Sequence, residues 1–248
     1  MMNPDTADFN SRAIAPVDCV KEGWAMIKDR YWLFFGIAVV GILIGSAVAI
    51  VLMGPMMCGI FLCLLQRQRG EEVEFGTLFK GFDYFVNGLL VQLIKIIPMI
   101  VLMVPFYFVM FGVMMTTMPR HEANPQEASA FVFTFFVLEM IFVLLIMVVS
   151  ILIELFFMFA FPLVVDRKLS ALEAVKLSFK ACKANFGGVL GLLLLNALFG
   201  FVGVLFCFVG VYFYLPVSFA SYAVAYRRVF PEISQNFPSP PPPPASWA

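Results

Sequence analysis

Long apolar stretches alternate with short charged segments along almost the whole chain. Each stretch exceeds the about 20 residues that one helix needs to cross a bilayer. The first and the last are long enough for a tight hairpin of two helices, and the two in the middle predict tilted, kinked or extended helices. The pattern therefore predicts an all-α integral membrane protein with about six transmembrane helices. The stretches are residues 31–65, 84–118, 131–165 and 187–226.

Glycine and proline suggest where these stretches turn or bend. Gly45-Ser46 is the expected turn of the first hairpin, and the expected turn of the last lies among the glycines of residues 200–210. Pro55 then falls inside the second helix, near the middle of the bilayer, and Pro216 takes the matching place in the last hairpin. Both prolines are predicted to kink their helices, which membrane proteins tolerate when neighbouring groups satisfy the freed carbonyl.

Amphipathic segments precede three of the stretches. Apolar residues recur every three or four positions in each, which predicts a helix with one apolar face. Lysines flank the first and third segments, so these helices are expected to lie on the membrane surface. The apolar faces are Val17, Val20, Trp24, Ile27 and Tyr31; Phe75, Phe79, Phe82 and Phe85; and Leu172, Val175, Phe179, Cys182 and Phe186. The predicted lipid-surface lysines are Lys21, Lys28, Lys176, Lys180 and Lys183.

Two of these segments begin units that read as copies of each other. Residues 17–31 match residues 172–186 at a constant offset, and Pro55 and Arg67 match Pro216 and Arg228 at an offset six residues larger. Both units enter from the same side, so the repeat is predicted to be parallel. Ser170-Ala171-Leu172-Glu173 has the sequence of a capping box and predicts the helix start of the second unit. The alternative is that any two such units look alike.

Charge placement favours six spans with both termini inside. In that topology fourteen basic residues are inside, Arg120 alone is outside and Lys95 lies in the membrane. A four-span topology gives seven inside and eight outside. The positive-inside rule therefore favours six spans, a polytopic domain over 16–230 and repeat-like units over 17–69 and 170–228.

The ends of the chain are polar. Residues 1–15 are expected to be disordered. Residues 231–248 form a proline-rich tail that includes five consecutive prolines from Pro240. Such a run is a stiff polyproline II rod, either a spacer or a docking peptide for a protein partner.

Composition excludes several classes. The chain is 62% hydrophobic and 13% charged with no net charge, so nothing indicates nucleic acid binding. The five cysteines lack the spacing of metal ligands, and the one histidine, His121, lies in the outer loop. No Ser-His-Asp set, phosphate loop or H-E-x-x-H occurs, so no catalytic residue, metal or cofactor is predicted.

Three ionisable residues within the apolar stretches are the candidate functional residues. Such charges are costly in lipid and are functional candidates by default. Lys95 and Glu154 are expected at similar depth on antiparallel helices, where they could form a structural pair, or Lys95 could snorkel to the interface. Glu139 lies nearer the outer face without a basic partner in the spans. Asn196 is predicted to form a hydrogen bond between helices.

Glycine pairs spaced by three residues permit close helix packing. They occur at Gly41 and Gly45 and at Gly187 and Gly191. Packing within the chain is the simpler interpretation, and a homodimer face is the alternative.

The motifs resemble a family of bacterial polytopic membrane proteins that includes the YciC-like proteins and the membrane domain of some glycerophosphodiester phosphodiesterases. The resemblance covers roughly residues 17–230, but Val217 stands where a tyrosine often follows the second proline. It implies a bacterial inner membrane location and carries no activity, and no phosphodiesterase domain follows here. The motifs are Gly54-Pro55, Gly59, Arg67–Gly70, Leu78–Phe82, Leu169–Val175, Ser178, Asn185, Pro216 and Tyr226–Arg228.

The sequence thus indicates a non-enzymatic accessory or scaffolding protein that organises lipids or a partner in the inner membrane. The alternative is a small transporter or lipid-handling protein that uses Lys95, Glu139 and Glu154. A transporter is expected to have a polar cavity joining these three charges, and a scaffold a packed core with a surface groove.

Overall fold

The structure is a computed structural model that describes residues 9–48, 50–117, 125–206 and 209–232. Helix is the regular secondary structure of these residues, which confirms the all-α class. The α-helices are α1 (Pro16–Ile27), α2 (Tyr31–Ala47), α3 (Met53–Gln68), α4 (Phe85–Thr117), α5 (Pro125–Phe157), α6 (Ala160–Asp166), α7 (Ala171–Ala184), α8 (Phe186–Leu205) and α9 (Val209–Val229). Two segments are 3-10 helices, Lys28–Arg30 and Phe75–Tyr84.

Five helical segments within the described residues are long and apolar enough to cross a membrane. They are the continuous segment of α1 and α2, the segment of the second 3-10 helix and α4, the segment of α5 and α6, and the separate helices α8 and α9. The predicted sixth, α3, has 16 residues. At 1.5 Å per residue it is about 24 Å long, less than the about 30 Å thickness of a bilayer's hydrocarbon core.

The first turn and the first proline lie elsewhere than expected. Helix α2 continues through Gly45-Ser46 to Ala47, and the connection to α3 follows at residues 48–52. Pro55 is consequently the third residue of α3, where a backbone N–H has no helical acceptor in any case, so the predicted mid-helix kink is wrong. Pro216 is the eighth residue of α9 and does remove a helical hydrogen bond.

The helices form three similar units rather than two. Each unit has an amphipathic helix, a first long helix and a closing helix: α1–α2–α3, then the 3-10 helix Phe75–Tyr84 with α4 and α5–α6, then α7–α8–α9. Each amphipathic helix packs on the closing helix of another unit in cyclic order, α1 on α9, the 3-10 helix on α3, and α7 on α5 and α6. The first long helices follow the same order, α2 on α9, α4 on α3 and α8 on α5.

Small residues allow this close packing. A Cβ atom added to Gly59 or Gly81 would collide with backbone atoms across the contact between α3 and the 3-10 helix. In the matching contact, a Cβ on Gly23 of α1 would come within 2.8 Å of the Ser221 backbone nitrogen of α9. The third contact buries Ala174 and Ala181 of α7.

The three amphipathic helices have large apolar side chains on the opposite face. They bury small or medium residues against the bundle and leave residues of the predicted apolar face exposed. An exposed aromatic face on an amphipathic helix is typical of contact with lipid. The exposed residues are Val17 and Trp24, then Phe75, Phe79 and Phe82, then Leu172, Phe179 and Phe186.

The N-terminal segment is ordered from residue 9, which corrects the expectation of disorder over the described part of 1–15. The backbone N–H of Asn10 donates to Val229 O at 2.8 Å, and that of Ala13 donates to the Asn185 side-chain oxygen at 3.0 Å. Ile14 is buried in the core. Asn185 is itself buried and therefore attaches the segment to the end of α7.

Several other expectations are settled or fall outside the described residues. Cys19, Cys58, Cys63 and Cys182 are free thiols buried in the bundle, as expected of apolar fillers. In the capping box, the Glu173 carboxylate accepts hydrogen bonds from the Ser170 backbone N–H at 3.1 Å and from its hydroxyl at 2.7 Å. His121, Cys207 and the proline-rich tail from residue 233 lie outside the described residues.

Replacing Gly59 with alanine is expected to lower the thermal stability of the protein in detergent. The added methyl collides with the Leu78 carbonyl, and such overpacking typically costs about 1–3 kcal/mol. Gly76 is the matched control, because a Cβ there meets nothing within 4 Å. Equal melting temperatures for Gly59→Ala and Gly76→Ala would contradict the close contact between α3 and the 3-10 helix.

Candidate functional site

A buried carboxylate joins the ends of the closing helices. Asp166 is the last residue of α6, and its side chain is 9% exposed. It accepts two hydrogen bonds from Arg227 of α9, both at 2.9 Å, and one from the Tyr226 hydroxyl at 2.8 Å. Arg69 donates a third charged hydrogen bond to the same carboxylate. One residue thus links the end of α6 to the ends of α3 and α9.

The end of α3 is shaped by a glycine. Gly70 has φ 76°, a left-handed conformation that favours glycine, and the Glu71 N–H donates back to Gln66 O at 3.1 Å. This αL ending stops α3 and leaves the Arg69 side chain next to Asp166. Two residues before Arg69, the Arg67 side chain donates to the Met26 carbonyl oxygen at 3.0 Å.

An open cleft of about 650 Å³ lies beside this network, between the ends of α1, α3 and α9. Its arginines bind acids of the same chain: Arg67 lies 3.5 Å from Asp29, and Arg228 lies 2.7 Å from Glu22. Four arginines of this region, including Arg69 and Arg227, therefore face four carboxylates, including Glu232. The charges cancel, so the cleft has the character of a structural ion-pair network rather than of an anion site.

The two intramembrane charges predicted to pair do meet. Lys95 Nζ of α4 lies 2.5 Å from Glu154 Oε1 of α5. The Lys95 side chain is 21% exposed and the Glu154 side chain 55% exposed. The pair is therefore at the edge of the bundle rather than in its centre.

Glu139 does not join them. It lies 15 residues before Glu154 on α5, which corresponds to about 22 Å along a helix. No pocket found in the described residues joins all three charges; Lys95 and Glu154 share one cavity, and Glu139 lines none of those found. Glu139 is therefore too far along α5 to share a site with the ion pair.

A groove of about 340 Å³ runs between α5, α8 and α9, with Glu154 on its wall. A smaller cavity of about 70 Å³ shares Glu154 and Tyr222 with the groove and is also lined by Lys95. The groove walls are mainly aliphatic, with Leu193 and Leu194 from α8. The ion pair thus lies where the apolar groove meets a smaller cavity that is itself lined mainly by apolar side chains.

Asn196 forms the predicted hydrogen bond between helices. Its amide donates to Ser221 Oγ of α9 at 3.1 Å and to the Leu192 carbonyl oxygen at 2.9 Å. Its oxygen accepts the Tyr214 hydroxyl at 2.7 Å. The hydrogen bonds of Asn196 with Ser221 and Tyr214 connect α8 to α9 at the floor of the groove.

The remaining predicted residues are distributed over the surface. The five lysines Lys21, Lys28, Lys176, Lys180 and Lys183 are exposed, on the helices that also expose aromatic residues. Among the described residues, no group of three or more His, Cys, Asp or Glu side chains could hold a metal ion. Of the glycine pairs, Gly41, Gly45 and Gly191 meet side chains of the same chain, while Gly187 faces open space.

Sequence reasoning missed the centre of the ion-pair network. The hydrophobic pattern does not distinguish Asp166, and the repeat points to Arg228 rather than to Arg227. The available signal is that Asp166, Arg69 and Arg227 each lie within four residues of the end of an apolar stretch. Charges at such positions are normally solvated, so nothing in the sequence distinguishes a buried one.

Replacing Asp166 with asparagine is expected to destabilise the fold strongly. Arg227, which is 14% exposed, and Arg69 would both lose their carboxylate, and removing one partner of a buried ion pair typically costs about 3–5 kcal/mol. Glu232→Gln is the control, because that carboxylate touches the same two arginines but is 57% exposed. Glu232→Gln is expected to lower the free energy of unfolding by less than about 1 kcal/mol.

Thermal unfolding in detergent measures both variants. A similar loss for Asp166→Asn and Glu232→Gln would show that burial of Asp166 does not matter.

Removing one member of the Lys95–Glu154 pair is expected to cost more than removing both. Lys95→Met leaves a carboxylate, and Glu154→Leu leaves an ammonium, each unpaired in an apolar region at a cost of about 3 kcal/mol. The double variant leaves neither charge and is expected to recover most of the lost stability. Melting temperatures of the four proteins in one detergent test this, and strictly additive losses would contradict the contact.

Comparison with known proteins gives no identification: no family model matches the chain, and no similar curated protein or solved structure is found. The resemblance to the YciC-like proteins and to the phosphodiesterase-associated membrane domain therefore stays a prediction.

Proposed function

We propose that this chain is a non-enzymatic accessory or scaffolding protein of a bacterial inner membrane that organises the lipids around it. The observation that carries the proposal is the shared design of the three amphipathic helices. Each packs on a closing helix through small residues and exposes large apolar side chains on its outer face. Such helices hold lipids at the level of the headgroups.

The lysines specify which lipids these helices attract. Lys176, Lys180 and Lys183 are exposed on α7 beside the exposed ring of Phe179. A lysine near an anionic leaflet contributes about 1 kcal/mol of attraction. The preferred lipids are therefore anionic, and the preference weakens at high salt because exposed charges are screened.

The proposed topology has six spans with both termini in the cytoplasm. It counts α3 as a span in spite of its 16 residues, because the positive-inside rule favours an even number of crossings before residues 67–80. A short span is compatible with local thinning of the bilayer or with helices packed around it. In the structure α3 is surrounded by α2, α4, α6 and the 3-10 helix.

A second candidate is a lipid-handling protein. It is supported by the position of the Lys95–Glu154 pair next to an apolar groove that opens at the side of the bundle. Glu139 is not part of this second candidate, because it lies about 22 Å from Glu154 along α5. A protein partner bound through the proline-rich tail, or a second copy of the chain, remains compatible with both candidates.

Reversing the charge of the α7 lysines is expected to reduce binding of anionic lipid. The triple variant Lys176→Glu, Lys180→Glu and Lys183→Glu is compared with the matched triple arginine variant, which keeps all three charges. Each protein is reconstituted into nanodiscs with equal phosphatidylglycerol and phosphatidylcholine, and the lipids that remain after extraction into detergent are counted by mass spectrometry.

The glutamate variant is expected to retain less phosphatidylglycerol, and the arginine variant as much as the wild type. Unchanged retention in the glutamate variant would overturn the proposal for this helix. An equal loss in the arginine variant would show that lysine packing rather than charge is responsible.

A further inference from the structure

The groove between α5, α8 and α9 has the size and the position of a ligand site. Its volume of about 340 Å³ lies within the range of small-molecule sites, about 300–1,000 Å³. Leu194 on its wall is 53% exposed, so the groove opens at the apolar side of the bundle. All three helices belong to segments long and apolar enough to cross a membrane. The opening therefore faces the region that lipid chains occupy.

Hydrogen bonding within the protein leaves the floor of the groove without free polar groups. Asn196 uses both amide hydrogens, toward Ser221 Oγ and Leu192 O, and its oxygen accepts the Tyr214 hydroxyl. Buried polar groups that are satisfied in this way do not need a polar ligand. An occupant of this part of the groove meets mainly aliphatic walls, and apolar cavities of this kind do not retain water.

One end of the groove is polar. Glu154 lies there with its partner Lys95, and Ser150, Ser218 and Tyr222 supply hydroxyl groups on the same walls. The ion pair has no net charge. The Lys95 ammonium and the hydroxyl groups can donate hydrogen bonds to ester oxygens, which only accept, and the neutral pair has no strong preference for a headgroup of either sign.

We propose that the groove binds one acyl chain of a membrane phospholipid, with the glycerol ester end next to Glu154. The chain enters sideways from the bilayer and packs against Leu193, Leu194 and Val211, which line the groove. The inference rests on the proposed lipid-organising function and adds a defined site to it. Lipid binding in the groove differs from lipid binding by the amphipathic helices, because occupancy of the groove does not depend on the charge of the headgroup.

Two glycines of α8 provide a matched test. A Cβ atom added at Gly200, which lines the groove, or at Gly187, which does not, meets nothing within 4 Å. Gly200→Leu is therefore expected to occupy the groove without disturbing the backbone, and Gly187→Leu to leave it empty. Ala197→Phe, from another exposed position on the groove wall, is a second blocking variant if Gly200→Leu does not fold.

The experiment uses the full chain in nanodiscs of phosphatidylcholine carrying a diazirine in one acyl tail. After illumination, peptides that carry lipid are identified by mass spectrometry. Labelling is expected on segments 193–200 and 211–218 of the wild type and of Gly187→Leu. A leucine side chain in the groove takes the space of the acyl chain, so Gly200→Leu is expected to reduce this labelling several-fold.

Undiminished labelling in both Gly200→Leu and Ala197→Phe, each folded as judged by thermal unfolding, would overturn the proposal. So would labelling spread evenly over the exposed faces of α4 and α5. Repeating the experiment with phosphatidylglycerol is expected to give the same labelling of the groove, and strong dependence on that headgroup would also overturn it. The phosphatidylcholine nanodiscs contain no anionic lipid, so this experiment tests the groove independently of the α7 lysines. The groove proposal can therefore be refuted while the lysine proposal holds, or the lysine proposal refuted while the groove proposal holds.

Discussion

Close backbone contact between each amphipathic helix and a closing helix is the constraint on which the rest of the fold depends. Where α3 meets the 3-10 helix, Gly59 and Gly81 leave no room for even one methyl group, and Gly23 has the same role where α1 meets α9. Small residues make the closest contacts, each helix also buries one larger aliphatic side chain (Ile27, Leu78 or Leu177), and the exposed aromatic side chains face outward. The same packing that closes the bundle therefore creates its lipid-facing aromatic surface.

Asp166 complements this packing at the ends of the closing helices. Helices α3, α6 and α9 end near one another, and the arginines at the ends of α3 and α9 would repel each other without a shared carboxylate. A bidentate arginine pair has a defined geometry as well as a favourable energy. The network therefore fixes how the three units meet, and it uses arginines that would otherwise be available to bind anions. The exposed lysines of the amphipathic helices are then the residues that bind anionic lipid in the proposed function.

The cyclic packing also explains why the ion pair and the groove lie at the side of the bundle. Helix α8 packs on α5 of the preceding unit and on α9 of its own, and the groove is the space left between these three helices. Lys95 belongs to α4, which pairs with α5, so its contact with Glu154 lies at the inner end of that space. The surface helices and the groove thus give the protein two different ways to hold lipid, one that depends on charge and one that depends on shape.

The sequence by itself determined the all-α membrane class, the amphipathic segments, the capping box at Ser170 and the interhelical role of Asn196. It offered the pairing of Lys95 with Glu154 as one of two alternatives, and the structure shows the contact. These follow from local periodicity, from helix geometry and from the cost of an unpaired polar group in an apolar region. Only the tertiary structure decided that there are three units in cyclic order, because the middle unit closes with α5 and α6 and has no matching proline motif. It also decided that Pro55 begins a helix, that residues 9–15 are ordered and that Asp166 is buried. Each of these depends on contacts between residues far apart in the chain, which no local pattern records.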